Sequence, residues 1–135
     1  MEIPSQPESR FQAPLSQPVF YVLLALMRYE VHGYAIMSAV LDSSLGQVHI
    51  PAGTLYPLLK GLIKAGLVEE TGFKATLKSD TPRKYYALTE HGVILLKGEL
   101  KRLRHAVKLG ESKGMFDDEL PLDLQRMLAD FKKFE

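Results

Sequence analysis

Three features of the 135-residue sequence predict a mainly α-helical fold with one small β-hairpin. Apolar residues recur at helical spacing in several segments, most clearly between residues 55 and 62. Two segments rich in aromatic and β-branched residues, 67–73 and 84–89, lie on either side of a polar loop. In the segment 93–107, apolar residues follow a 3-4-3-4 spacing, which is typical of a helix that packs along a narrow seam.

The composition bounds the class of protein. With 46% hydrophobic residues, the chain is large enough for one domain with a buried core. It has no run of about 18 apolar residues and no basic-then-apolar N-terminus, so we expect neither a membrane span nor a signal peptide. The absence of cysteine excludes disulfides and thiolate chemistry. We therefore expect a soluble, cytoplasmic protein.

No motif of an enzyme or of a cofactor site occurs in the sequence. The patterns of hydrolase nucleophiles, phosphate-binding loops, zinc proteases and dinucleotide-binding folds are all missing. His91 and His105 lie roughly 21 Å apart on one predicted helix, so they cannot share a metal ion within one chain. We expect no catalytic residues, no cofactor and no metal site.

Charge is segregated along the chain. Residues 60–110 carry eleven basic and five acidic groups, whereas the segments on both sides are acidic on balance. A basic region between two acidic ones favours a polyanionic partner for the middle of the chain. A solvated charged surface is the alternative, and charge alone does not separate the two.

Two helices are predicted ahead of the basic region. Residues 1–17, rich in Pro, Gln and Ser, are predicted to form a flexible N-terminal arm. The first helix starts at Pro18, which suits a first turn, and is apolar on every side. Either it is a central core helix or one of its faces packs on another chain. The second helix follows His32 and Gly33 and ends near Gly46.

The third predicted helix has an unusual outer face. Its apolar face consists of Leu55, Leu58, Leu59 and Leu62. Its outer face consists of Gly53, Pro57, Lys60, Gly61 and Lys64, with Thr54 and Tyr56 at the flanks. Glycine is a poor choice for a helix face, since each one costs roughly 0.5–1 kcal/mol relative to Ala. We therefore expect this face to serve a function.

The rest of the chain is predicted as a hairpin and two helices. The hairpin strands, 67–73 and 84–89, enclose a basic polar loop, and Thr89 is the N-cap of a fourth helix. The seam of that helix consists of Val93, Leu96, Leu100, Leu103 and Val107. A short last helix follows. Residues 18–88 therefore form one predicted domain, and residues 89–135 form a C-terminal helical region.

Three helices followed by a two-stranded hairpin are the order of a winged helix-turn-helix, in which the third helix enters the DNA major groove. The lysines of the outer face would neutralise phosphates, and its glycines and proline would let the backbone approach the groove wall. The hairpin would be the wing and contact an adjacent groove or backbone. The predicted DNA-binding residues are Thr54, Tyr56, Lys60, Lys64, Lys74, Lys78, Arg83 and Lys84.

Three stretches of the chain resemble the PadR family of transcriptional regulators. They are LLALMRYEVHGYAIM (Leu23–Met37), PAGTLYPLLKGLIKAGLVEE (Pro51–Glu70) and PRKYYALTEHG (Pro82–Gly92). Their HGY, GTLYP, GLVEE and RKYY motifs stand in the order and at the distances of that family. The chain departs from the family at Pro51, where a serine N-cap is usual, so the third helix is expected to start differently.

The resemblance implies a homodimer on a near-palindromic operator of double-stranded DNA, with half-sites about 34 Å apart or a multiple of that. In the family the first helix and the last long helix build the interface. The implied interface residues are Phe20, Leu24, Val93, Leu96, Leu100, Leu103 and Val107. Family members often bind small aromatic or drug-like effectors. The implied effector pocket is lined by Tyr21, Leu24, Val93, Leu96 and Leu100, and the alternative is that these residues are simply interface core.

Together, the residue pattern and the resemblance predict a dimeric winged-helix repressor whose DNA binding is relieved by an effector. A winged-helix protein-interaction module without specific DNA binding is the main alternative, and it predicts no salt-dependent affinity for DNA. The lack of cysteine disfavours a metal or redox sensor. A multidrug-binding protein with a secondary DNA role is a third alternative, which ligand titrations with and without DNA would separate.

Overall fold

The computed structural model describes residues 11–76, 79–117 and 122–132. Its elements in chain order are α1 (Gln17–Ala25), β1 (Val31–His32), α2 (Gly33–Ser43), α3 (Ala52–Lys64), β2 (Val68–Thr76), β3 (Ser79–Leu88), α4 (Glu90–Ser112) and α5 (Leu122–Lys132). The predicted fold class, mainly helical with a small antiparallel sheet, is confirmed. Among the described residues, no helix is long and apolar enough to cross a membrane.

The chain divides into two compact units, Met1–Glu99 and Leu100–Glu135. The core of the first unit includes side chains of α1, α2 and α3, namely Val22, Leu23, Ile36, Val40, Leu55, Leu59 and Leu62. On α1 the buried residues share one face, while three aromatic or aliphatic side chains are half-buried: Phe20, Tyr21 and Leu24. The helix that is apolar on every side therefore buries one face within its own unit.

Backbone groups define both ends of α3. Pro51 is the N-cap and has no side-chain hydrogen bond, but its carbonyl accepts from the N–H of Leu55 at 2.9 Å, and the helix begins directly after it. At the other end Gly66 has a φ of +77°, and the N–H of Leu67 donates to the carbonyl of Leu62 at 3.0 Å. This is a Schellman motif, in which glycine avoids the strain of a left-handed residue.

The short strand β1 has no counterpart in the sequence prediction. Val31 and His32 pair antiparallel with Tyr86 and Tyr85, which makes a three-stranded sheet of order β1-β3-β2. The Nδ1 of His32 accepts from the N–H of Ala35 at 3.3 Å and caps α2. The segment around His32 therefore joins the sheet to α2.

The prediction of a polar loop over residues 74–83 is wrong for 74–76 and 79–83, which belong to two strands, and residues 77 and 78 lie outside the described residues. Strands β2 and β3 pair antiparallel from Val68 opposite Leu88 as far as Thr76 opposite Ser79. Strands pair through backbone hydrogen bonds and do not need apolar side chains. The pairing therefore continues beyond the apolar segments from which the strands were predicted. The register shifts next to Gly72, whose φ of +106° suits a β-bulge. We call the β2–β3 hairpin the wing.

Helix α4 begins against the turn that ends α3. The Oγ1 of Thr89 accepts from the N–H of Gly92 at 3.1 Å and donates to the carbonyl of Gly66 at 2.6 Å. The N–H of Thr89 donates to the carbonyl of Leu67 at 3.1 Å. Gly92 is buried, and a Cβ on it would overlap that same carbonyl oxygen. The predicted N-cap at Thr89 is confirmed. Its hydrogen bonds hold the first turn of α4 close to the backbone of Gly66 and Leu67.

Residues 11–16 lie within the predicted flexible arm, and two of them, Phe11 and Leu15, contact the rest of the first unit. Phe11 is fully buried, and the N–H of Leu15 donates to the carboxylate of Glu99 on α4. Glu99 is itself only 2% exposed, and a buried carboxylate requires such donors. The first ten residues of the predicted arm lie outside the described residues.

The second unit exposes much of its apolar surface. After α4 the chain turns at Gly114, which has a φ of +72°, and the N–H of Met115 donates to the carbonyl of Gly110 at 3.0 Å. Among the described residues, the large exposed apolar side chains of this unit are Val107, Leu109, Met115, Phe116, Leu122, Met127, Leu128 and Phe131. They lie on the C-terminal half of α4, just after its end and on α5.

Candidate nucleic-acid interface

The outer face of α3 is exposed, as the sequence predicts. Leu55, Leu59 and Leu62 are buried, so the helix turns its opposite side to solvent. That side presents Gly53, Thr54, Tyr56, Pro57, Lys60 and Lys64. A Cβ on Gly53 would meet nothing within 4 Å. The glycine therefore has no packing reason, and the backbone of α3 is accessible there.

Tyr56 lies against the start of α2. A Cβ on Gly33 would overlap the hydroxyl of Tyr56, so a larger residue at position 33 would displace the ring. Tyr56 is nonetheless 42% exposed. The glycine of the HGY motif therefore leaves room for a side chain of α3, a contact that the sequence pattern did not indicate.

A groove of about 380 Å³ lies between α3 and the wing. We call it the recognition groove. Its polar lining residues are Tyr56, Lys60, Glu70, Lys84 and Tyr86. Burial of Tyr86, followed by the nearby Glu70 carboxylate and by Tyr56, raises the pKa of the Tyr86 phenol. The phenol therefore stays protonated and is a hydrogen-bond donor at neutral pH.

One acidic and one aromatic side chain contact the two basic residues at the base of the wing. The Nζ of Lys84 lies 3.5 Å from the Oε1 of Glu70. The guanidinium carbon of Arg83 lies 5.4 Å from the centre of the Tyr34 ring, within cation–π range. Lys84 was predicted to bind DNA, and the structure places it beside a carboxylate. Glu70 and Tyr34 were not predicted to belong to the site.

His32 lies behind the wing base. Burial, together with the nearby Arg83 guanidinium, lowers the pKa of its imidazole. This agrees with its role as an N-cap, because the Nδ1 must be unprotonated to accept from Ala35. The ring is also edge-on to Tyr85, with centroids 5.5 Å apart. His32 therefore has a structural role.

Two of the predicted wing residues remain. Lys74 is on β2, opposite Arg83 in the strand register. Lys78 lies outside the described residues. Lys64 is in the last turn of α3 and is exposed, where a cation also favours the negative end of the helix dipole.

A second groove, of about 450 Å³, lies on the other side of α3. It runs between the start of α1 and the residues Gly53, Thr54 and Pro57. The outer face of α3 is therefore bordered by a groove on each side.

The residues implied for a dimer interface and an effector pocket differ in exposure. Leu96 is buried within its own chain, so it presents no free surface. Half-buried residues of the two sets are Phe20, Tyr21, Leu24, Val93, Leu100 and Leu103. Val107 is 46% exposed. Within residues 11–76, 79–117 and 122–132, no group of three or more His, Asp or Glu residues could hold a metal ion.

Comparisons with known proteins identify what the chain is similar to. The model of the transcriptional regulator PadR-like family matches residues 22–97. No curated protein gives a significant match to the sequence. A PadR-like transcriptional regulator from Bacillus cereus is 24% identical, with a TM-score of 0.58 over 76% of this chain and 93% of that chain. A PadR family regulator from Clostridium difficile is 23% identical, with a TM-score of 0.57 over 72% of this chain and 97% of that chain.

One similar structure contains nucleic acid. Bacillus subtilis PadR, solved in complex with operator DNA, is 27% identical, with a TM-score of 0.54. The match covers 63% of this chain and 47% of that chain. The shared part is thus less than half of the Bacillus subtilis protein.

Proposed function

Because the chain belongs to the PadR-like family of transcriptional regulators, we propose that it is a sequence-specific DNA-binding regulator. It acts as a dimeric repressor that a small aromatic or drug-like effector releases from its operator. Members of this family are transcription regulators and not enzymes. In this proposal residues 18–88 bind DNA and residues 89–135 form the dimerisation region.

One observation carries the proposal, namely the low, basic outer face of α3 beside the wing. Gly53 and Pro57 add little height to the helix, so it fits a major groove about 12 Å wide. Thr54 and Tyr56 supply hydroxyls near the start of the helix, and Lys60 supplies a cation for phosphate. Bacillus subtilis PadR, which shares the fold, was solved with operator DNA, and this supports DNA as the partner of the present chain.

Exposed apolar residues support the dimer. In the single chain, apolar side chains are half-buried on part of α1 and exposed on the C-terminal half of α4 and on α5. Burial of such area against a second copy is favourable by about 25 cal/mol per Å². A two-fold dimer would present two α3 helices to half-sites of a near-palindromic operator.

Relief by an effector follows from differential binding. A ligand shifts the protein away from DNA if it binds better to a dimer in which the two α3 helices have the wrong separation. The pocket proposed for it is lined by the half-buried side chains of Tyr21, Leu24, Val93 and Leu100. Leu96, which the family resemblance implies, is buried within its own chain and is left out of the proposed pocket. The coupling between ligand and DNA is reciprocal, so operator DNA would weaken effector binding by the same factor.

Lys60→Ala tests the DNA-binding face. We expect it to weaken operator binding about tenfold and to reduce the slope of log Kobs against log salt by about 0.9, because one phosphate contact is lost. The measurement is a titration at several salt concentrations with duplex DNA from upstream of the protein's own coding sequence. Lys97→Ala is the matched control, since it removes the same charge from the exposed side of α4.

Three outcomes of that titration would contradict the proposal. If Lys60→Ala leaves both the affinity and the salt slope unchanged, α3 does not contact DNA phosphates. If the unmodified protein binds its upstream DNA no better than a scrambled duplex, specific binding at that site is absent. A salt-independent, weak affinity for every duplex would favour a protein-interaction module instead.

Val107→Glu tests the dimer. A carboxylate on the α4 seam would have to lose its water in the interface, so we expect the dimer dissociation constant to rise by more than about tenfold. Sedimentation analysis over a range of concentrations measures this. Lys101→Glu, on the outer side of the same helix, should leave the dimer intact. Equal behaviour of the two variants would exclude the seam as the interface.

A further inference from the structure

A carboxylate lies in the recognition groove where a polyanion is expected to bind. Glu70 is on β2 at the edge of the groove, with Lys60 and Tyr56 across from it on α3. Its side chain is 37% exposed, and the side chain of Lys84 is 49% exposed, so both are accessible to solvent. The groove therefore contains one negative group among the cations proposed to contact DNA.

We propose that Glu70 is a specificity-determining residue, which lowers the affinity of the groove for DNA outside the operator. The inference rests on the function proposed above and names a residue that this function does not need. Glu70 disfavours phosphates in the groove and keeps Lys84 paired. At suitable DNA sequences, hydrogen-bond donors on the base edges compensate the negative charge of Glu70.

The charge balance at the base of the wing supports the effect of Glu70 on phosphate binding. With Nζ and Oε1 only 3.5 Å apart, the Glu70–Lys84 pair presents no net charge to a phosphate beyond it. An exposed pair of this kind is worth only about 0–1 kcal/mol, and a carboxylate has two oxygens, so Glu70 is able to accept from a second donor as well. While the pair persists, the Glu70 carboxylate cancels the attraction of Lys84 for phosphates, which would otherwise reach about 8 Å at physiological salt.

The edges of the DNA bases offer donors that compensate the negative charge of Glu70. In the major groove cytosine presents its N4 amino group and adenine its N6 amino group, and a carboxylate accepts from such donors. Phosphates offer no donor to an ionised carboxylate. A sequence that places an amino group beside Glu70 is therefore favoured over one that does not, whereas lysines alone do not distinguish between them.

The surroundings of Glu70 favour this role over a purely structural one. Glu70 is opposite Tyr86 in the strand register, and Lys84 is on the same face of β3 two residues earlier. Its carboxylate contributes to the raised pKa of the Tyr86 phenol, behind burial. The carboxylate thus lies on the groove side of the sheet. Glu69, opposite Ala87, lies on the other side.

Glu70→Gln is the test, and Glu69→Gln is its control with the same change of charge on the same strand. Each dimeric variant is titrated with upstream duplex and with a scrambled duplex at several salt concentrations. For Glu70→Gln we expect affinity for scrambled DNA to rise about fivefold and the salt slope to steepen by about 0.9, because Lys84 gains a phosphate. Operator affinity should rise less than about twofold, since the lost acceptor offsets the gain.

The double variant Glu70→Gln/Lys84→Gln separates the two effects. It should return the salt slope to that of the unmodified protein, because the cation at position 84 is removed together with the carboxylate at position 70. A Glu70→Gln protein that keeps the ratio of operator to scrambled affinity, or that matches Glu69→Gln, would overturn the inference while leaving operator binding intact. If the unmodified protein itself shows no salt-dependent binding to either duplex, the proposed function fails instead.

Discussion

Phe11→Ala is expected to lower the free energy of unfolding by about 3–5 kcal/mol, the largest loss we expect from one substitution in this chain. The side chain of Phe11 is 0% exposed, so alanine removes a whole buried ring and leaves a cavity. Urea unfolding of the purified protein measures the loss. It must be done at one fixed concentration, because the stability of a dimer depends on concentration.

Tyr29→Ala is the control for Phe11→Ala. Tyr29 is another aromatic residue of the first unit, but it is 72% exposed. Its replacement should change the free energy of unfolding by less than about 0.5 kcal/mol. A flexible arm over residues 1–17 predicts equally small changes for both variants, and that result would contradict the packing of Phe11.

Gly92→Ala is expected to cost about 2 kcal/mol or more, even though alanine is the better helix former. A Cβ at Gly92 would overlap the backbone carbonyl oxygen of Leu67. That oxygen accepts from Thr89, so moving it also disturbs the cap of α4. In thermal unfolding the melting temperature should fall by about 5–10 °C.

Gly98→Ala on the same helix should have the opposite sign. A Cβ at Gly98 would meet nothing within 4 Å. Its replacement should therefore stabilise the protein by about 0.5–1 kcal/mol through helix propensity. A rise in melting temperature for both variants would show that α4 does not begin against the turn that ends α3.

The parts of the fold that depend on local signals are predictable from the sequence. The burial of Leu55, Leu59 and Leu62 follows from helical spacing, and the end of α3 follows from Gly66. The N-cap at Thr89 is likewise a local signal. Each depends on residues within a turn or two of one another.

The parts of the fold that depend on residues far apart along the chain are not predictable from the sequence. The two residues of β1 show no strand pattern and become a strand because β3 lies beside them. The length of the wing depends on backbone pairing, which its polar side chains do not reveal. In the site, Gly33 makes room for Tyr56 from another helix, and Glu70 meets Lys84 across two strands.

The sequence by itself determined the helices, the hairpin, the family and the exposed basic face of α3. Periodicity, caps and motifs depend only on residues that are close together along the chain. Only the tertiary structure decided that Phe11 is core and that Glu99 is buried against the N–H of Leu15, which lies 84 residues away. It alone brought a carboxylate into the recognition groove. Burial and ion pairing depend on which segments meet in space, and spacing along one segment carries no information about its distant neighbours.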